Sequence, residues 1–489
     1  MANGFEWNFV VPFVDRIPGE TLRGPGNALL MVLRGLHARP SNFRLLRGLT
    51  PWLDTQDASH VFLLTQRKRK ESWKADAPLA MYWELAQWEP FRGIYRGMVH
   101  PGEDLDLEEL FQDFRKDPLE LIDRAAARAG AAVVSNVDPL PLETQEVLKP
   151  WGKEIWYTGV EKRGVSRVVS ETGTTELPYA LGLFPEPLTG VENPNPILLK
   201  ILDPLPEDPR GNLYLEVHRE KWEAYVVLNV HPDAWPSGTG SLLAGLDQAL
   251  LERFRKESPQ GWEEKLREHL NQAIGQYEQV RGELDQRAEE GTAPAELLQR
   301  EHTLRKEVEA MFGQVPLAPG AVILLPAGVI HSLRHGVRVV EFQTPTYERL
   351  IAMAGQRVLT QNHWDTAAAL EQAVKAPYHL TEPLLVREED GLRVDLVVDF
   401  PEFNVERHTL ASGSQGQGRT RGGTGYQLLF VVEGEGKMIL PGNRNLHLAA
   451  GSAFLLPAGM GSYRLWAGEK GGFTCLVASP KDEAPLPSA

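Results

Sequence analysis

The chain carries two segments whose side chains could together hold a metal cation. In GNLYLEVHREKWE (211–223) an acid, an imidazole and a second acid follow the spacing E-x-H-x4-E, as Glu216, His218 and Glu223. Alternate residues of a strand share a face, so Glu216 and His218 point one way while Leu215 and Val217 point the other. Glu223 follows after a short turn and can return to that face from a neighbouring strand. The second segment, GAVILLPAGVIH (320–331), reads G-x5-P-x-G-x2-H and ends on His331. Gly320 permits a turn into a strand, and Pro326 and Gly328 make the next tight turn. A lone histidine after an apolar strand is ordinarily a packing residue. Two imidazoles with two carboxylates are instead a donor set for a borderline divalent cation: zinc first, with iron or manganese as alternatives.

The elements around these segments must bring them to one point. From about 152 to 240 short β-rich runs (EIWYTGV, SRVVS, PILLKILD, NLYLEVH, AYVVLNV) are bounded by Gly, Pro and Asp, as in a sandwich or barrel. A charged block from about 241 to 313, beginning with GSLLAGLDQALLERFRKES, has amphipathic helical spacing and reads as an inserted helical subdomain. Strand text returns at 320–345. A helical stretch follows near 365–375, and a last β-rich segment runs from about 380. Within that segment ASGSQGQGRTRGGTG (411–425) reads as a mobile loop. The Pro-rich stretch 138–152 marks a boundary. Before it, VFLLTQ (61–66) and YWELAQW (82–88) fit either strands or buried helices. LDLEELFQDFRKDPLELIDRAAARAGA (105–131) is helical and stops near Gly130. The basic run Arg67-Lys68-Arg69-Lys70 beside Glu71 reads as a solvated turn.

Composition limits the partners. The 489 residues carry 51 Lys+Arg against 66 Asp+Glu, a formal charge of −15. That balance argues against nucleic acid, which needs clustered cations to neutralise phosphates. At roughly 150 residues per domain the length predicts about three domains. A single cysteine, Cys475, can form neither an intramolecular disulfide nor a thiolate cage, and suits a reducing compartment. It lies in an apolar strand run with no basic neighbour, so it reads as buried and inert. No signal-peptide pattern and no run of about 18 apolar residues occurs, so the expectation is a soluble, cytoplasmic protein without a membrane partner.

The segment 320–331 fits the second cupin motif at every fixed position. The region from about 147 to 350 further resembles the type I phosphomannose isomerase family, and the resemblance extends more weakly to 380–489. That family's metal motif opens with Gln-x-His and continues with the Glu of a Lys-x-Glu triplet. Here the corresponding residues are Glu216-Val-His218 and Lys221-Trp-Glu223. Pro150-Trp-Gly152, Pro196-Ile-Leu-Leu-Lys200-Ile-Leu-Asp203, and Glu341-Phe-Gln343 followed by Thr346-Tyr347 resemble further family segments in the same order. The resemblance implies a bicupin and does not cover the N-terminal third, so the expected fold is mainly β with helical insertions, a bicupin plus an α/β N-terminal domain. The expected division is 1–145, a mixed α/β domain of unassigned role, a metal-binding cupin 146–350 with its insertion 241–313, a helical connector 351–380, and a metal-free cupin 381–489. In the last, Ser462 stands where a ligand histidine would.

The resemblance also implies a function, namely metal-dependent aldose–ketose isomerisation of a phosphorylated hexose, as in mannose-6-phosphate isomerase. Glu216, His218, Glu223 and His331 would hold Zn2+, with Fe2+ or Mn2+ as substitutes. Lys221, Lys200 and Arg349 would serve the substrate, and a lysine desolvated beside a metal would have a lowered pKa. Three departures stand against this. Glu216 replaces Gln, Glu348 occupies the position of the family's arginine with Arg349 next to it, and the family's His-Pro-Asp after the second ligand is missing. Strand alternation would turn Arg349 away from the site unless a bulge intervenes. The competing readings are a catalytically reduced cupin that binds a sugar or sugar phosphate, and an iron-dependent cupin oxygenase.

Overall fold

A computed structural model describes the chain except for residues 1–6, 12–13, 37–39, 72, 75–79, 103, 290–292, 359–360, 362, 421–424 and 482–489. The fold is mainly β and divides into two compact units. One comprises Met1–Gln145, Tyr157–Pro196 and Leu385–Ala489; the other comprises Glu146–Trp156 and Ile197–Leu384.

The first unit opens with a seven-stranded sheet in chain order: β1 (Trp7–Val11), β2 (Val14–Arg23), β3 (Ala28–Leu36), β4 (His60–Arg69), β5 (Ala80–Glu89), β6 (Ile94–Pro101) and β7 (Val134–Ser135). The two ambiguous apolar runs, 61–66 and 82–88, are therefore strands. Only β3 and β4 run parallel among these pairs, because helix α1 (Asn42–Leu53) crosses between them. Leu45, Leu46, Leu49 and Leu53 of α1 pack on Leu29, Met31, Val61 and Leu63. Helices α2 (Leu107–Lys116) and α3 (Leu121–Ala129) cover the opposite face, burying Leu110, Phe114, Leu121 and Ile122 against Leu30, Phe62 and Leu64. The α2 helix starts where the Asp106 carboxylate accepts the Glu109 N–H, a cap of about 1 kcal/mol. Gly130 ends α3 at φ 60°, as its sequence position predicts.

The basic run 67–70 is no solvated turn. Arg67 and Arg69 are alternate residues of β4, so both face α1's side of the sheet, and Arg67 is buried in a 2.7 Å ion pair with Glu84. The cross-strand acid on β5 makes that burial tolerable, and the run alone gives no sign of it.

The same unit contains a nine-stranded sheet assembled from distant segments. Its order is Gly173–Glu176, Arg167–Ser170, Leu140–Glu143, Ala453–Leu456, Gln427–Glu433, Phe473–Pro480, Phe403–Leu410, Leu392–Asp399 and Leu384–Glu389. A four-stranded sheet, Gln415–Arg419, Ser462–Ala467, Glu435–Ile439 and Asn445–Ala449, shares its core, which includes Leu429, Met438, Leu465 and Cys475. Burial pushes the Cys475 thiol's pKa well up. The segment expected as a mobile loop thus holds a strand at Gln415–Arg419; residues 421–424 lie outside the described residues. Glycine is used there for close packing rather than mobility: a Cβ on Gly418 would stand 2.3 Å from the Tyr463 ring.

In the second unit two sheets face each other. One has the order Val322–Leu325, Glu223–Val230, Val337–Gln343, Leu198–Pro204, Gly152–Trp156 and Gln145–Lys149; the other Phe312–Leu317, Gly240–Leu246, His331–Leu333, Leu215–Val217 and Leu350–Met353. Tyr225, Val227, Ile323 and Val339 of the first meet Leu242, Ala244, Leu333 and Ile351 of the second in one core. GSLLAGL, expected to open the helical block, is the strand Gly240–Leu246. Its small and apolar residues are buried almost throughout, a pattern that fits either period. The helices of the block are Gln248–Glu257, Trp262–Glu289 and Ala295–Glu309, and a further short helix, Thr366–Gln372, follows later. Among the described residues no helix is long and apolar enough to cross a membrane.

Candidate metal centre

The helical block fixes which way the first motif faces. Leu266, Leu270, Ile274 and Tyr277 recur at three- and four-residue steps on the long helix and pack on Leu215 and Val217. Burying each such side chain stabilises by about 1.5–3 kcal/mol. With Leu215 and Val217 held outward, Glu216 faces the space between the sheets, where it pairs across strands with His331. Gly328, at φ 88°, makes the Pro-x-Gly turn before His331, and its N–H reaches the carbonyl of His218 at 2.7 Å. Glu223 opens the strand Glu223–Val230 of the opposite sheet.

One ligand atom each from Glu216, His218 and His331 lies within 4.8 Å of the others, a group that could hold a metal ion. Glu223 stands beside them. Its Oε1 is 3.4 Å from His218 Nε2 and its Oε2 is 3.2 Å from His331 Nε2, while Glu216 Oε1 is 3.8 Å from His218 Nε2. Both imidazoles are anchored from behind: His218 Nδ1 donates to the Glu348 carbonyl at 2.8 Å and His331 Nδ1 to the Val329 carbonyl at 2.9 Å. Those bonds place the proton on Nδ1 and turn the Nε2 lone pairs toward the carboxylates. Lone pair against carboxylate is repulsive unless a proton or a cation lies between. His218 Nε2 and Glu216 Oε2 are buried without a hydrogen-bond partner among the described residues. Tetrahedral bonds of about 2.0–2.2 Å would set ligand atoms roughly 3.3–3.6 Å apart, close to the observed separations. The donor set fits a divalent metal.

The electrostatics are those of a buried site crowded with charge. Burial alone would raise the pKa of Glu223, but Lys221, with Nζ at 2.5 Å, and both imidazoles hold it well below the usual carboxylate range. Glu216 is also lowered: burial opposes this, while His218, Arg349 and Lys221 outweigh it. Burial would lower His331, yet its hydrogen bond to Glu223 and the charges of Glu223 and Glu216 lift it above the ordinary histidine value. Lys200 departs from the expectation of a lowered lysine. Burial pulls it down, but Glu154, Glu341 and Glu223 more than compensate, and its pKa rises.

Arg349 reaches the site. Residues 344–349 are irregular rather than strand, so alternation does not dictate its direction. Its Nη1 lies 4.0 Å from Glu216 Oε2 and its guanidinium stacks over Tyr214 at 5.2 Å. The Glu348 carboxylate turns the other way and accepts the backbone N–H of Arg219 at 2.8 Å.

Two further groups escaped the sequence reading as site residues. Glu341 lies 3.2 Å from Lys200 Nζ, and burial drives its pKa well above the usual range despite that lysine. Tyr225 donates to Glu223 Oε2 at 2.9 Å. The signal for both was strand alternation: Tyr225 is two residues after Glu223, and Glu341 pairs with both Tyr225 and Lys200 across the sheet.

A single-residue variant of the phosphomannose isomerase from Salmonella typhimurium matches the structure with a TM-score of 0.51 at 14% identity, over 69% of this chain and 98% of its own. A zinc-bound mannose 6-phosphate isomerase matches with a TM-score of 0.51 at 14% identity, over 71% of this chain and 100% of that one. The chain has a phosphomannose isomerase-like cupin fold. At these identities the likeness speaks for fold alone. No protein-family model matches the chain, and no curated protein matches it in sequence.

Proposed function

We propose that the chain is a metal-dependent aldose–ketose isomerase of a phosphorylated hexose, with Glu216, His218, Glu223 and His331 as ligands and zinc as the metal. The observation that carries this reading is the pair of Nε2 lone pairs aimed at two carboxylates between the sheets, ringed by Lys221, Lys200 and Arg349. A divalent cation held there would polarise the oxygens on C1 and C2 of the sugar. Lys221 Nζ, beside Glu223, is assigned to hold the proton that passes between those carbons. The Lys200–Glu341 pair orients the sugar hydroxyls, and Arg349 at the edge of the site holds the phosphate. The same proposal includes a second cupin at 381–489, the division at 145, 350 and 380, and residence in the cytoplasm.

A second reading, a sugar-phosphate-binding cupin without turnover, draws on Glu216. Its negative charge stands where the isomerase family has glutamine, and it would make a bound metal a weaker Lewis acid. Metal analysis followed by a mannose 6-phosphate to fructose 6-phosphate assay decides. Turnover lost in Glu223→Ala and His331→Ala supports the isomerase. Stoichiometric binding without turnover supports the second reading, and oxygen uptake with iron the oxygenase. A protein that binds no metal at micromolar zinc ends every metal-based reading.

A further inference from the structure

The N-terminal sheet carries a polar row that the candidate metal centre does not use. On β4 the residues facing α1 begin as Val61 and Leu63, in the apolar core, and continue as Thr65, Arg67 and Arg69. The change comes at the N-terminus of α1. Its first residues, Ser41 and Asn42, stand over the carboxyl end of β4, with Thr65 Oγ1 donating to Asn42 Oδ1 at 3.0 Å. Arg67 is fully engaged: Nε to Glu84, Nη1 to the Pro40 carbonyl and Nη2 to Asn42, all at 2.7–2.8 Å.

Arg69 differs. Its Nε donates to both oxygens of Glu71 at 2.8 and 2.9 Å, and its guanidinium lies over Trp73 and Tyr82 at 5.3 and 5.5 Å. The ion pair and the two rings fix the plane of the fork, while Nη1 and Nη2 have no protein partner among the described residues. Beside them is a cavity of about 470 Å³, lined by Ser41, Arg69, Trp73, Gly182, Asn193 and Asn195 among others. Glu192 also lines it, but Arg44 pairs with Glu192 and with Glu186. The cavity therefore presents one preoriented guanidinium and the start of a twelve-residue helix.

We infer that this cavity is a second ligand site, for a small molecule with one oxyanion, phosphate or carboxylate, seated on Arg69. A guanidinium held by Nε offers its two Nη donors as a fork that matches two oxyanion oxygens. The position is also the favoured one in an open sheet, outside the carboxyl ends of parallel strands joined by a crossover helix, whose N-terminus favours negative charge. The volume is that of small-molecule pockets in general. The site uses no residue of the candidate metal centre.

The test is calorimetric titration of the full chain with inorganic phosphate and, separately, citrate, in an Arg349→Gln background, which removes the cation proposed above to hold phosphate at the other site. Binding of either probe, weakened at least tenfold in Arg69→Gln and partly retained in Arg69→Lys, supports the inference, and the stronger probe identifies the oxyanion. Asn195→Asp, which leaves Arg69 intact but adds a negative charge to the cavity, is expected to weaken binding as well; circular dichroism checks that each variant is folded. Neither probe binding, or Arg69→Gln and Asn195→Asp binding as tightly as their parent, overturns it.

Discussion

The backbone carbonyl of Glu348 takes the Nδ1–H of His218 at 2.8 Å, while the carboxylate of the same residue takes the Arg219 N–H. One residue thus fixes both the tautomer of a proposed ligand and the loop that carries it. Glu348→Ala keeps the carbonyl but frees the loop. Metal affinity, measured against a competing chelator, should fall about tenfold with the protein still folded. Unchanged affinity would mean that the carboxylate does not brace the ligand.

Metal affinity should depend on pH through His331. Its pKa is raised above about 6.5, so protons compete for Nε2 already above that value. In metal-free protein the sign is opposite. A raised folded pKa contributes stability that is complete below 6.5 and lost as pH rises through the folded value. The gap in Tm between zinc-loaded and chelator-treated protein should therefore widen from pH 5 to 9. A constant gap would remove His331 from the ligand set.

Lys221 and Lys200 should separate. Lys221→Met is expected to keep stoichiometric metal and lose at least about a hundredfold in kcat for mannose 6-phosphate. Lys200→Met removes the cation 3.2 Å from buried Glu341 and should cost about 1–3 kcal/mol in urea unfolding. Full turnover in Lys221→Met would move the proton-carrying role elsewhere.

The helical block is tied to the sheets by ionic contacts. Arg305 pairs with Asp208, Glu301 and Glu309, and Arg334 pairs with Glu309. Burial would raise Asp208, but Arg305, Lys306 and Arg334 hold it down at about 2. A depressed folded pKa gives stability that is complete above the unfolded value, near 3.9, and lost as pH falls through about 2. Asp208→Asn should cost about 1–2 kcal/mol at pH 7, and the cost should shrink as pH falls from about 4 and vanish below about 2. A cost independent of pH would contradict the assignment.

Sequence spacing pointed to most of the candidate metal cluster because each motif is local, with alternation orienting Glu216 and turns delivering His331. Other features depended on partners distant in sequence. Arg67 is buried because Glu84 faces it across the sheet, and Gly416 and Gly418 form a strand because Leu392 and Tyr463 fill the space left by their missing side chains. The direction of Arg349 was hidden for another reason: alternation holds only inside a strand, and 344–349 is not one.

The strand Phe473–Pro480 lies in the interior of the nine-stranded sheet, between Gln427–Glu433 and Phe403–Leu410, and Leu140–Glu143 pairs with Ala453–Leu456 some three hundred residues downstream. During translation that sheet cannot close until its central strand leaves the ribosome. The early strands must wait through the synthesis of the whole second unit with an edge unpaired. Such high contact order makes assembly slow, and it makes the nascent chain a natural client for chaperones.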